Sequence, residues 1–228
     1  MELNEVVPWG RSLDEYRALF ALSETDLKGR LLGCGDGPAS FNAELAAAGK
    51  TQGLVSVDPL YSFTGPEIAS RVEQTYETII SQVKRNHSRY VWTYFADPDA
   101  LGAARLGAMK VFLDDYETGR EQGRYLAAAL PKLPFEDDEF DLCLCSHLLF
   151  LYSAQLSFDF HFASMLEMLR VAREVRVFPL LDLDLQPSAH LDPVMAELRS
   201  GEFHPEIVDV PYEFQKGGGQ MLRVIRSR

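Results

Sequence analysis

The chain has few cysteines and lacks any long apolar stretch. Its three cysteines, among 228 residues, have neither zinc-site nor paired-disulfide spacing, which is typical of reduced thiols. No apolar run approaches the roughly 20 residues that a membrane-spanning helix needs. The first residues have neither the basic start nor the apolar stretch of a secretory signal. We therefore expect one soluble domain, 1–228, in the cytoplasm and without membrane contact.

Positive charge is also scarce. The chain carries 22 Lys and Arg residues against 34 Asp and Glu residues, a net charge of −12. Because phosphate backbones are normally bound by clustered Lys and Arg, this balance disfavours nucleic acid and favours a small-molecule substrate. The acidic run 136–139 is typical of a solvated turn, and the histidines lack ligand spacing, so no metal is expected. The pattern does not determine the oligomeric state.

The spacing of apolar and capping residues predicts a first helix followed by a strand-helix-strand unit. Ser12 and Glu15 form a capping box that predicts a helix over 12–22. The apolar pair Leu31-Leu32 runs into a glycine loop, a helical pattern follows, and 53–57 is a second strand ending at Asp58. A doubly wound α/β fold is expected from this unit.

More than 60 residues separate Asp58 from the next strand, predicted at 125–129, although a plain crossover needs about a third of that length. Helical patterns that follow Gly65-Pro66 and Asp97-Pro98 fill the gap. We interpret 60–122 as a helical insert after the second strand. It serves either as extra packing or as a substrate lid.

Further strands are predicted at 140–146, 174–181, 207–212 and 221–225, with a long helix over 156–173 and a short one ending at Gly201. The expected fold is a seven-stranded, mostly parallel sheet with helices on both faces and an antiparallel last strand.

A glycine bend and one acid carry the chemistry. Gly33-Cys34-Gly35-Asp36-Gly37 lies between a strand and a helix, where the backbone can approach a ligand closely. Asp58, at the end of the next strand, is placed to bind ribose hydroxyls. Together they indicate an adenosine-containing ligand; the alternative is a simple turn with an acid that caps the next loop.

The negative charge of the glycine loop distinguishes between the cofactors that contain adenosine. The pyrophosphate of NAD would meet Asp36 in the loop that should hold it, which is unfavourable. S-adenosylmethionine presents an ammonium and a sulfonium, which an acidic loop attracts. The methyl donor is therefore the favoured cofactor.

Three ordered segments resemble class I S-adenosylmethionine-dependent methyltransferases. Residues 32–38 look like the first motif, 55–58 resemble the second, and 133–142 are similar to the segment leading into the fourth strand. The resemblance covers about 27–185 and implies a seven-stranded sheet with an antiparallel last strand. The chain departs from the family at Leu31 and Ala129, where acids are usual.

The resemblance implies a donor site at the strand ends. Its expected residues are Gly33, Cys34, Gly35, Gly37, Asp58 and Ser146, with Ala129 and Leu130 at the adenine edge and Pro59, Leu60 or Tyr61 at its face. His147 is the candidate general base, because its ordinary pKa lets it accept a proton at neutral pH; the alternative is a loop-bonding histidine. Arg11 either pairs with the methionine carboxylate or is a surface charge.

These patterns predict methyl transfer from S-adenosylmethionine to a small molecule. Two alternatives remain at this level: a catalytically silent donor-binding module acting as a partner subunit, and a nucleotide-dependent oxidoreductase.

Overall fold

The computed structural model describes residues 9–226, and its centre is one seven-stranded sheet in the order β3-β2-β1-β4-β5-β7-β6. The strands are β1 (Leu31–Cys34), β2 (Leu54–Val57), β3 (Tyr125–Leu126), β4 (Phe140–Ser146), β5 (Ala172–Phe178), β6 (Phe203–Asp209) and β7 (Gln220–Arg226). β7 runs antiparallel to both of its neighbours, and the other pairings are parallel. The predicted fold class is confirmed.

Helices cover both faces of the sheet. They are α1 (Leu13–Leu19), α2 (Phe41–Ala47), α3 (Gly65–Arg85), α4 (Pro98–Glu121), α5 (Phe158–Val171) and α6 (Leu191–Ser200). Successive strand side chains point to opposite faces. In β4, Cys143 and Cys145 pack with α5 and α6, whereas Leu142 and Leu144 pack with α1 and α2. This alternation explains the continuous apolar run and makes the β4 cysteines buried core residues.

Helices α3 and α4 connect β2 to β3 and pack against each other through Val72, Met109 and Phe112. Tyr116 joins this cluster and donates its hydroxyl to the carbonyl oxygens of residues 61 and 63. The helical pair is thereby fixed to the chain that leaves β2. Within residues 9–226 no helix is long and apolar enough to cross a membrane.

Several predicted boundaries are wrong by a few residues. The expected strand 125–129 ends at Leu126, because the chain turns back where the amide of Lys132 donates to the carbonyl of Ala129. The first helix is shorter than 12–22, although its capping box between Ser12 and Glu15 is formed. The predicted strand 174–181 lies at 172–178, because Pro179 lacks the amide hydrogen that would continue the ladder. The predicted strand 207–212 lies at 203–209.

Candidate functional site

The strand register brings three predicted site residues side by side. Cys34 is aligned with Val57 on β2 and with Cys145 on β4, so the next residues, Gly35, Asp58 and Ser146, lie together at the carboxyl end of these strands. A cavity of about 660 Å³ opens there. Its volume is within the roughly 300–1,000 Å³ of small-molecule sites, and carboxyl ends of parallel strands are where α/β folds bind ligands.

Most of the predicted site residues line this cavity: Arg11, Gly35, Gly37, Asp58, Pro59, Leu60, Ala129, Leu130, Ser146 and His147. Gly33, Cys34 and Tyr61 do not line it. The Cys34 thiol is buried 3.6 Å from that of Cys143. Tyr61 instead supports the bend, since its hydroxyl donates to the carbonyl of Gly37 at 2.7 Å.

Asp58 joins the bend to the second strand. One carboxylate oxygen accepts from the amide of Gly37 at 2.9 Å, and the other accepts from the amide of Leu60 at 2.8 Å. Burial raises the pKa of Asp58, while these two amides oppose the rise. Asp58 therefore caps the next turn, which was one of the two predicted roles, and it also lines the cavity.

Asp36 is held inside the bend by two hydroxyl groups. Tyr16 donates to one carboxylate oxygen at 2.7 Å, and Ser56 donates to the other at 2.6 Å. Burial raises the pKa of Asp36 to about 6, because desolvation outweighs these hydrogen bonds. The carboxylate lies where a Cβ on Gly33 would be, so Gly33 makes room for Asp36.

The two later glycines of the bend have left-handed backbones. Gly35 has φ +68° and Gly37 has φ +53°, a region that residues with a Cβ rarely adopt. A Cβ on Gly35 would also lie 2.8 Å from a methyl group of Leu148. The sharp turn keeps the space beside Asp58 free of side chains.

Arg11 is fixed by the segment that crosses the bend. Gly10 packs directly on the carbonyl of Pro38, and the carbonyl of Arg11 accepts from the amide of Ser40 at 3.0 Å. The guanidinium donates to the carbonyl of Trp9 at 3.0 Å, and its Nε has no hydrogen-bond partner in the part of the chain that the structure describes. Arg11 is therefore part of the cavity wall rather than a simple surface charge.

A buried ion pair lies next to Arg11. The guanidinium of Arg105 on α4 pairs with Glu15 on α1, and the Tyr212 hydroxyl donates to the same carboxylate at 3.3 Å. Because these side chains come from α1, α4 and the loop between β6 and β7, the pair ties the connecting helices to the rest of the wall. Arg105 itself lines the cavity.

His147 directly follows β4 and has a strained backbone, with φ +55°. Its Nδ1 is 2.9 Å from the Ser146 hydroxyl. Burial, followed by the charges of Arg11 and Arg105, lowers the pKa of His147 well below 6.5. The expectation of an ordinary pKa is therefore wrong: the imidazole is neutral at pH 7 and is a weak base.

Sequence reasoning missed several wall residues, among them Tyr16, Arg105, Phe178, Tyr212 and Phe214. Arg105 left a usable signal, because it lies on the apolar stripe of α4 midway between Leu101 and Met109, where a charge needs a buried partner. The aromatic residues left none, since an aromatic ring at helical or strand spacing predicts core packing equally well.

The chain is 31% identical, over 227 residues, to the uncharacterised protein MJ0045 of Methanocaldococcus jannaschii, and the match covers 99% of both proteins. The chain belongs to the family of that protein. No protein-family model matches it.

Two solved protein structures have a chain fold similar to that of this protein. One is a methyltransferase of Thermotoga maritima described as a possible histamine N-methyltransferase, with 12% identity over 95% of this chain and 87% of that one, and a TM-score of 0.43. The other is magnesium protoporphyrin IX methyltransferase of Synechocystis with bound S-adenosylmethionine, with 14% identity over 94% and 78%, and a TM-score of 0.47.

Proposed function

We propose that this protein transfers the methyl group of S-adenosylmethionine to a small-molecule acceptor. The observation that carries the proposal is the meeting of the glycine bend, Asp36 and Asp58 at one end of the cavity. A bend free of side chains beside a carboxylate accommodates a ribose, and a second carboxylate favours a cation.

Each part of the donor has a matching group. Asp58 has acceptor capacity left for ribose hydroxyls, since each oxygen accepts only one backbone hydrogen bond within the described chain. Pro59, Leu60 and Leu130 supply apolar contacts for adenine. Asp36 lines the cavity, and a neighbouring ammonium or sulfonium would stabilise its carboxylate in the charged form.

The donor supplies an electrophilic methyl group, whose bond to sulfur breaks as a lone pair of the acceptor bonds to the carbon. The chain's contribution is to position both molecules and to exclude water. Ser146 and His147 border the cavity beside the bend. As a neutral group, His147 is better suited to form a hydrogen bond with the methyl acceptor than to remove a proton from it.

The oxidoreductase alternative is disfavoured by the position of Asp36. A dinucleotide would bring its pyrophosphate to the same bend, next to a buried carboxylate. A catalytically silent donor-binding module would bind the donor without transferring its methyl group, so binding and transfer assays distinguish it from the enzyme.

Isothermal titration calorimetry with S-adenosylmethionine, S-adenosylhomocysteine and NAD tests the donor site. We expect both sulfur ligands to bind and NAD not to bind. Asp58→Asn should weaken donor binding at least tenfold, because the amide cannot accept both backbone hydrogen bonds and the ribose hydroxyls. Asp114→Asn is the matched control, since Asp114 is an exposed acid on α4.

Methyl transfer is tested with methyl-labelled donor and a panel of small acceptors. Label transfer that Asp58→Asn reduces supports the proposal. Donor binding without transfer to any acceptor would favour the silent module. Binding of NAD in preference to both sulfur ligands would overturn the donor assignment.

A further inference from the structure

The charges of the cavity wall are unevenly distributed. Among its described residues the acids are Asp36 and Asp58, and both belong to the donor end. Of the three described arginines that line the cavity, Arg71 lies over the ring of Phe63. The guanidiniums of Arg11 and Arg105, in contrast, lie together, close enough for each to act on the pKa of His147. In a protein with a net charge of −12, this part of the wall is locally cationic.

The carboxylate of Glu15 forms its ion pair with only one of the two guanidiniums and acts on the other from a greater distance. Arg105 holds it in an ion pair, whereas no carboxylate within residues 9–226 makes an ion pair with Arg11. Burial and the neighbouring Arg105 lower the pKa of Arg11 to about 10. A cation without an ion-pair partner of its own is costly to keep away from water, so an anion in the cavity would be stabilised here.

Both guanidiniums also retain unused donors. The Nε atoms of Arg11 and Arg105 are buried and have no hydrogen-bond partner among residues 9–226. Arginine presents its N–H groups in a planar fork that matches a carboxylate. The anion expected from the charge balance is therefore one with planar, paired oxygens.

Aromatic rings form the adjoining wall. Phe178 and Tyr212 pack edge to face with centroids 5.8 Å apart, and Tyr90 and Phe214 stack at 4.6 Å. All four line the cavity. Flat apolar rings recognise a flat ligand by stacking and edge contacts.

We propose that Arg11 and Arg105 bind the carboxylate of a planar aromatic acid, which the adjoining rings hold beside His147 as the methyl acceptor. This inference rests on the proposed function. The methionine part of the donor also carries a carboxylate that fits this place. The experiment therefore distinguishes the carboxylate of the acceptor from that of the donor.

The test measures ternary binding with S-adenosylhomocysteine held at saturation, so that the donor's own carboxylate is already in place. The probes are benzoate and 2-naphthoate, each compared with its amide, which has the same shape and no charge. We expect each acid to bind at least tenfold more tightly than its amide. Arg11→Gln should reduce acid binding at least tenfold and leave amide binding unchanged.

Two further variants control for fold and charge. Arg11→Lys keeps the charge but loses the planar fork, and acid binding should fall between wild type and Arg11→Gln. Arg17→Gln removes an exposed arginine of α1 that pairs with Glu24, and its binding should equal that of wild type. Circular dichroism confirms that each variant is folded.

A second pair of ligands shows whether Arg11 binds the carboxylate of the donor or that of the acceptor. 5′-Methylthioadenosine lacks the amino-acid part of S-adenosylhomocysteine. If Arg11→Gln weakens the binding of S-adenosylhomocysteine but not that of methylthioadenosine, the donor's own carboxylate binds Arg11. The acceptor proposal is then overturned. Equal binding of acid and amide, or no acid binding at all, overturns it too. Failure of S-adenosylhomocysteine to bind wild type refutes the donor site itself.

Discussion

Replacement of Asp36 by Asn should make the protein more stable and a poorer donor binder. The side chain is only 7% exposed, and its pKa is raised from 3.8 to about 6 by burial. Since each pKa unit is worth about 1.4 kcal/mol, the ionised carboxylate costs about 3 kcal/mol at neutral pH. Asparagine removes that charge with almost no change of shape.

The expected gain is smaller than the full cost of the charge. The carboxylate accepts from both Tyr16 and Ser56, but an amide has only one oxygen, so one hydroxyl must find another acceptor. A lost hydrogen bond of this kind costs about 1 kcal/mol. We therefore expect Asp36→Asn to raise the free energy of unfolding by about 2 kcal/mol at pH 7.

The pH dependence gives an independent check of the sign. Because the folded pKa of Asp36 lies above the unfolded one, its contribution to stability is full below about pH 3.8 and is lost as pH rises through about 6. Wild type should therefore gain about 1.3 kcal/mol from this residue between about pH 7 and pH 5, and the variant should gain nothing. The difference between them shrinks by that amount.

Urea unfolding of both proteins at the two pH values measures these quantities, with the exposed Asp114→Asn as control. Calorimetry at pH 7 should show donor affinity reduced at least tenfold in Asp36→Asn, because the donor's cation loses its buried counter-charge. A variant less stable than wild type at pH 7, or a difference independent of pH, would refute the electrostatic reasoning. Unchanged donor affinity would refute the role of Asp36 in binding.

Three further outcomes are expected. Gly35→Ala should destabilise the fold by about 1 kcal/mol more than Gly123→Ala in urea unfolding, because both positions have similar positive φ but only the first would press on Leu148. The ring signals of His147 in NMR, assigned by their loss in His147→Asn, should titrate well below the ordinary value of 6.5; a midpoint near 6.5 would contradict its desolvation. Arg11→Gln should raise the free energy of unfolding by about 1 to 3 kcal/mol, since it removes a partly buried, desolvated charge; a decrease would show that the charge is compensated.

Local signals predicted much of the architecture. The capping box at Ser12, the glycine bend and the apolar run of β4 each depend on neighbouring residues, so the sequence alone indicated the elements and their kinds. The alignment of Gly35, Asp58 and Ser146 followed from the rule that parallel strands end at one edge. Strand limits were less accurate, because pairing partners and turns such as the one at Ala129 decide where a ladder stops.

The electrostatic character of the cavity was decided only by tertiary packing. Glu15 and Arg105 are 90 residues apart in the chain, and no local pattern predicts that they meet. The low pKa of His147 depends on burial and on two arginines from other segments. Composition determined the sign of the net charge, but a pKa reflects the solvent and charges within a few ångströms of a group, and only the folded chain places them.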